Sequence, residues 1–112
     1  MTARFIQNGN SIDYTPVADV SAGDVVVQGD LVGIAKLDIA TGALGALAVT
    51  GVFDVPKATG VGSAIGAGLK VYWDVADGAA KTDDEAGANK YLGKTVLAAD
   101  DDDATVRVRL EQ

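Results

Sequence analysis

Thr105-Val106-Arg107-Val108-Arg109-Leu110 is the stretch that decides how this chain is read. Apolar and polar residues alternate without a break. In a strand, successive side chains point to opposite faces. Val106, Val108 and Leu110 therefore share one face, and Thr105, Arg107 and Arg109 share the other. A helix would scatter these six residues around its axis, whereas a strand sorts them into a core face and an outward face.

The same grammar runs back through the chain. Turn chemistry recurs every eight to twelve residues, the rhythm of an all-β sandwich or barrel. Leu69 to Val75 reads as a strand turned by Asp77-Gly78, with Ala79 to Thr82 as a short edge strand and Tyr91 to Ala98 as the next strand. Asp24 to Gln28 carries the β-branched run Val25-Val26-Val27, Gly29-Asp30 turns it, and Leu31 to Lys36 returns. Ala43 to Thr50 is a strand, Gly51 is a kink, and Val52 to Val55 continues until Pro56. Near the start, Arg4 to Gln7 and Ser11 to Thr15 flank Asn8-Gly9, a type I′ hairpin signal. Thr59 to Gly68 reads as a Gly/Ala-rich loop, Asp83 to Asn89 as a polar connection and Asp100 to Asp103 as an acidic turn. The expectation is a mainly β chain: one domain over residues 1–112, a small barrel or sandwich of about seven to nine short strands, with at most one short helix.

Composition removes whole classes of chemistry. The 112 residues include no histidine and no cysteine. That excludes histidine-based triads, thiol catalysis, zinc ribbons, haem ligation and iron–sulfur clusters. Sixteen acids face nine bases, for a formal charge of −7. Such a surface repels a phosphate backbone, so a nucleic-acid partner is not expected. No stretch approaches the ~20 apolar residues of a membrane helix, and Met1 to Asn10 lacks the apolar run of a signal peptide. The serine hydroxyls at Ser11, Ser21 and Ser63 have no histidine to activate them. A binding protein is expected, not an enzyme.

Three motifs invite sharper readings. Ala88-Asn89-Lys90-Tyr91-Leu92-Gly93-Lys94-Thr95 matches a permissive phosphate-binding loop, in which Lys94 would meet phosphates and Thr95 magnesium. Such a loop follows a buried strand and opens a helix, whereas here the upstream residues are polar and the downstream ones strand-like. Gly60-Val61-Gly62-Ser63-Ala64-Ile65-Gly66 approaches a dinucleotide fingerprint but misses its spacing; it reads as a loop able to lie flat against another backbone. Asp100 to Asp103 lacks the alternation and glycine of a calcium loop, and four adjacent carboxylates diverge. No catalytic, cofactor-binding or metal-binding residue is expected.

Val52-Phe53-Asp54-Val55-Pro56-Lys57, Val71-Tyr72-Trp73-Asp74 and Val106 to Leu110 are less generic. Phe53 and Trp73 are expected to anchor the core. Tyr72, Arg107 and Arg109 are expected on the outer face, as interface residues, because tyrosine and arginine carry much interface energy.

Gly23 to Val27, Leu31 to Ala35, Gly51 to Lys57, Gly68 with Val71 to Asp74, and Val106 to Leu110 together resemble the successive blocks of a small family in tailed bacteriophages and prophages. Its members are called capsid cement or head decoration proteins, and some are described as predicted recombinases. The resemblance runs from about Gly9 to Leu110; the acidic Asp100 to Asp103 turn is not part of it. It implies a β-rich domain on the outside of a phage head, made in the bacterial host cytoplasm, forming a homotrimer and clamping subunits of the major capsid lattice. Residues 1–15 are expected to act as an N-terminal docking arm, with Phe5, Ile6 and Tyr14 as contact residues. Two other functions compete. A carbohydrate- or receptor-binding module would stack sugars on Trp73 and the tyrosines. A nucleotide-binding, recombinase-like protein would depend on Lys94.

Overall fold

The computed structural model describes residues 2–112 and contains nine strands in two antiparallel sheets. The first sheet holds β1 (Ser11–Tyr14), β2 (Val25–Gln28), β3 (Leu31–Ala35) and β4 (Gly45–Ala48), in the order β1-β4-β3-β2. The second holds β5 (Thr50–Pro56), β6 (Lys70–Asp74), β7 (Ala79–Lys81), β8 (Lys90–Thr95) and β9 (Thr105–Glu111), in the order β5-β9-β8-β6-β7. A single 3₁₀ turn, Glu85–Gly87, accounts for the helix. Of the two architectures expected, the closed barrel is not formed: both sheets keep open edges.

The alternating strand sits second from the edge of the larger sheet. Seven residues of β9 pair with β5, from Thr50↔Glu111 to Pro56↔Thr105. Its other side pairs with β8, at Gly93↔Leu110, Lys94↔Arg109 and Thr95↔Val108. Val106, Val108 and Leu110 are buried, and Thr105, Arg107 and Arg109 are exposed, as the period of two requires.

The buried side chains form two clusters. The larger joins Val55, Val71, Trp73, Leu92 and the three apolar residues of β9 to Val32 and Ile34 of the first sheet, with Phe53 packed partly against it. The two sheets are thus held through one shared core. The smaller cluster, Ala35, Ile39 and Leu47, lies on the other side of the first sheet under Ile12, Tyr14, Val20 and Val26.

The hairpins follow their turn residues. Gly29 between β2 and β3, and Gly78 between β6 and β7, have φ of 62° and 61°. That is left-handed backbone, which glycine enters without steric cost. Gly33, in the middle of β3, serves a different need: a Cβ there would crowd the side chain of Leu47.

Several boundaries depart from expectation. Arg4 to Gln7 forms no strand, and the hairpin at Asn8-Gly9 does not exist. Ser11–Tyr14 pairs instead with Gly45–Ala48. The reason lies in burial. Arg4-Phe5-Ile6-Gln7 has no apolar/polar alternation and hence no face to bury, whereas pairing with β4 covers Ile12 and Tyr14. The strand expected over Ala43 to Thr50 ends at Ala48; the chain breaks at Val49, whose N–H donates to the Asn10 carbonyl, and crosses to the second sheet. Gly51, expected as a kink, is left-handed at φ 119° yet stays paired with Leu110 inside β5. The strand expected to reach Ala98 ends at Thr95.

Candidate interaction surfaces

The six expected contact residues fall in three places. Phe5 and Ile6 lie on the N-terminal segment, 79% and 70% exposed. Met1 of the expected arm lies outside the described residues. From Thr2 to Asn8 the chain has no regular structure, and the Gln7 side-chain amide donates to the Ser11 carbonyl at 3.2 Å. The segment leads into β1, an edge strand of the smaller sheet. Tyr14 is built into that sheet and packs on the smaller core cluster. Residues 11–14 therefore belong to the folded body, and residues 2–8 project from it.

Tyr72, Arg107 and Arg109 share the outward face of the larger sheet. Arg107 and Asp54 are cross-strand partners, and the guanidinium donates to both carboxylate oxygens, at 2.9 and 3.3 Å. That hydrogen bond holds the Asp54 carboxyl below its ordinary range and raises the Arg107 pKa. Tyr72 meets Tyr91 edge to face, with ring centroids 5.8 Å apart at 63°. The Tyr91 hydroxyl donates to Glu111 at 3.3 Å. Burial first, and then the Glu111 charge, push the Tyr91 phenol up. Glu111 also lies 3.7 Å from Arg109 and 4.0 Å from Lys94.

The segment resembling a phosphate loop is a strand. Ala88 to Thr95 leads into and fills β8, with no helix after it. Gly93 is a packing glycine: a Cβ there would overlap the Arg109 carbonyl of the neighbouring strand. The Thr95 hydroxyl is already engaged, donating to the Gly66 carbonyl at 2.7 Å and accepting from the Leu69 N–H at 3.0 Å. The glycine and threonine of the motif thus serve the fold.

The Gly60–Gly66 loop does lie against another backbone. Ile65 and Ala99 exchange N–H···O bonds of 2.9 and 2.8 Å, and the Gly60 N–H donates to the Asp101 carbonyl. In the acidic turn, two carboxylates serve the backbone: Asp101 accepts from the Ala64 N–H and Asp103 from the Asp100 N–H, each at 2.8 Å.

Sequence reasoning missed Lys57. This lysine is 6% exposed. Its ammonium donates to the carbonyls of Ala58, Asp103 and Asp101, at 2.7, 2.9 and 3.4 Å. Three donors meet three acceptors, which is how a buried ammonium avoids the cost of unpaired burial. No local signal marks Lys57, because two of its partners come from a turn more than forty residues later. A depression of about 300 Å³ beside it is also lined by Ser63, Lys81 and Asp83. Lys57 offers that depression no free donor, and Lys81 is held by Asp74 and Asp77.

No helix among the described residues is long and apolar enough to cross a membrane. No curated protein and no solved structure matches the chain. A family model described as phage cement protein matches residues 6–110, which take in both sheets except for Glu111 at the end of β9, and the chain belongs to that family, whose name gives it a structural role at the phage capsid.

Proposed function

We propose that this protein decorates the outer surface of a phage head, binds the lattice of the major capsid protein and reinforces the assembled shell. One observation carries the reading: residues 2–8 project from an open sheet edge with Phe5 and Ile6 exposed. An extended segment with unpaired backbone and apolar side chains can add a strand to an exposed edge on a partner. A ligand that binds the assembled shell and not its dissociated parts stabilises the shell by mass action. Three copies closing as a homotrimer would multiply weak contacts through effective concentration.

The test is a deletion of residues 2–7, which spares β1. The shortened chain is expected to unfold at the temperature of the full chain. It is also expected to lose saturable binding to purified heads stripped of decoration, with electron microscopy of the full chain showing density outside the shell at local threefold axes. Undiminished binding by the shortened chain would remove the arm from the reading. No saturable binding by the full chain would remove the cement function.

A further inference from the structure

The outward face of the larger sheet carries an arrangement of charge that folding does not explain. Lys70 on β6, Lys94 on β8 and Arg109 on β9 are exposed and directly opposite one another: Lys70 pairs in register with Lys94, and Lys94 with Arg109. Three cations thus stand in one row across three adjacent strands. Like charges directly opposite each other destabilise a sheet. The chain has sixteen acids with which to relieve the row. Only Glu111 approaches it, at 4.0 Å from Lys94 and 3.7 Å from Arg109. Among the described residues no carboxylate pairs with Lys70. The neighbouring cations on this face are treated differently: Arg107 has Asp54, and Lys81 has Asp74 and Asp77. The row continues onto β5 at Val52, which is 56% exposed and faces Arg109 in register.

We infer that Lys70, Lys94 and Arg109 form a docking row for an acidic protein segment on the phage shell, with Val52 as the apolar end of the contact. Strands stand ~4.8 Å apart, so the row spans about 10 Å. That length matches two or three carboxylates of an extended segment or a loop. The inference rests on the cement reading and adds to it a second contact, separate from the N-terminal segment. It also gives an acidic chain an orientation: an acidic segment on the partner is repelled by the rest of the surface and drawn to this face.

The experiment uses the full chain and its triple charge reversal, K70E/K94E/R109E. The reversal keeps three like charges in register, now beside Glu111, so its unfolding temperature should fall. The neutral triple K70Q/K94Q/R109Q does relieve the row; it should unfold at the same temperature as the unaltered chain or higher, and should lose the same binding as the reversal. In a titration with a ten-residue poly-glutamate peptide, followed by backbone amide shifts, the unaltered chain should respond on β6, β8 and β9. That response should fade with added salt and be missing from the reversed variant. On stripped heads the reversed variant should bind at least tenfold more weakly. Equal binding of both chains to heads would overturn the row and leave the cement reading standing. A face that responds to a dT20 oligonucleotide and not to poly-glutamate would overturn the protein partner in favour of a nucleic acid. Self-association abolished by the reversal, without any change in head binding, would assign the row to contacts between copies and overturn it as a shell contact. Failure of the unaltered chain to bind heads would sink the cement reading and the row's shell role together, while the peptide titration would still report whether the row takes carboxylates.

Discussion

Gly93 lies with its Cα pressed against the main chain of Arg109, so closely that a methyl group on Gly93 would occupy the Arg109 carbonyl oxygen. The contact lets β8 pair with β9 in the middle of the larger sheet. It also turns what looks like a phosphate-loop glycine into a condition for strand pairing.

The first prediction follows from that overlap. Gly93→Ala should destabilise the chain by about 3 kcal/mol or prevent folding, because the obstruction is backbone and cannot rotate away. Urea unfolding checks it. Lys94→Ala beside it, at an exposed position, should change stability by about 0.5 kcal/mol or less. If Gly93→Ala unfolds like the unaltered chain, the packing assigned to β8 and β9 is wrong.

Lys57 ties the end of β5 to the acidic turn. Lys57→Met keeps much of the volume and removes all three donors. It should cost about 1–3 kcal/mol through carbonyls left without partners. Hydrogen exchange should reveal the damage locally, with faster exchange at Gly60 and Ile65, whose N–H groups bond across to residues 101 and 99. A uniform loss of protection across both sheets would contradict a local clasp.

Trp73 and Phe53 were both expected as anchors, but the structure separates them. Trp73 is 7% exposed within the larger cluster, and Phe53 packs only partly against it. Trp73→Ala should cost about 3–5 kcal/mol, and Phe53→Ala clearly less. Calorimetry on the pair decides it; equal losses would mean that Phe53 is as buried as Trp73.

Acid should unfold this protein through a few identifiable carboxylates. Asp54 is held below its ordinary value of 3.8 by hydrogen bonds from Arg107. Asp74 is held down by Lys81 and then by the Asp77 N–H, and Asp19 by the backbone N–H and then the hydroxyl of Thr41. Each folded-state pKa lies below the unfolded one, so the unfolded chain binds more protons in this range and stability rises with pH there. The contribution is complete above about pH 5, and it is lost as pH falls through 3.8 and then through the lowered folded values. With no histidine in the chain, melting temperature should be nearly flat from pH 5.5 to 8. A pronounced slope in that interval would contradict this assignment. Asp54→Asn should flatten part of the acid limb.

What was legible in advance was whatever local chemistry governs. The alternation of Thr105 to Leu110 told which residues are core, because a strand has a period of two and one face must be buried. Glycine at positions 29 and 78 marked real turns, because left-handed backbone suits glycine in any context. Tyr72, Arg107 and Arg109 could be placed on an outward face for the same periodic reason. Partner choice was not legible. Ser11–Tyr14 takes β4 and not Arg4 to Gln7, since the gain comes from covering Ile12 and Tyr14 by pairing with a strand more than thirty positions away. Lys57 is buried because carbonyls from a distant turn converge on its ammonium. Lys70, Lys94 and Arg109 are neighbours only because three strands far apart in the chain share a register. Periodicity and turn propensity are written residue by residue, whereas strand order, register and the convergence of distant groups exist only once the sheets have closed on their shared core.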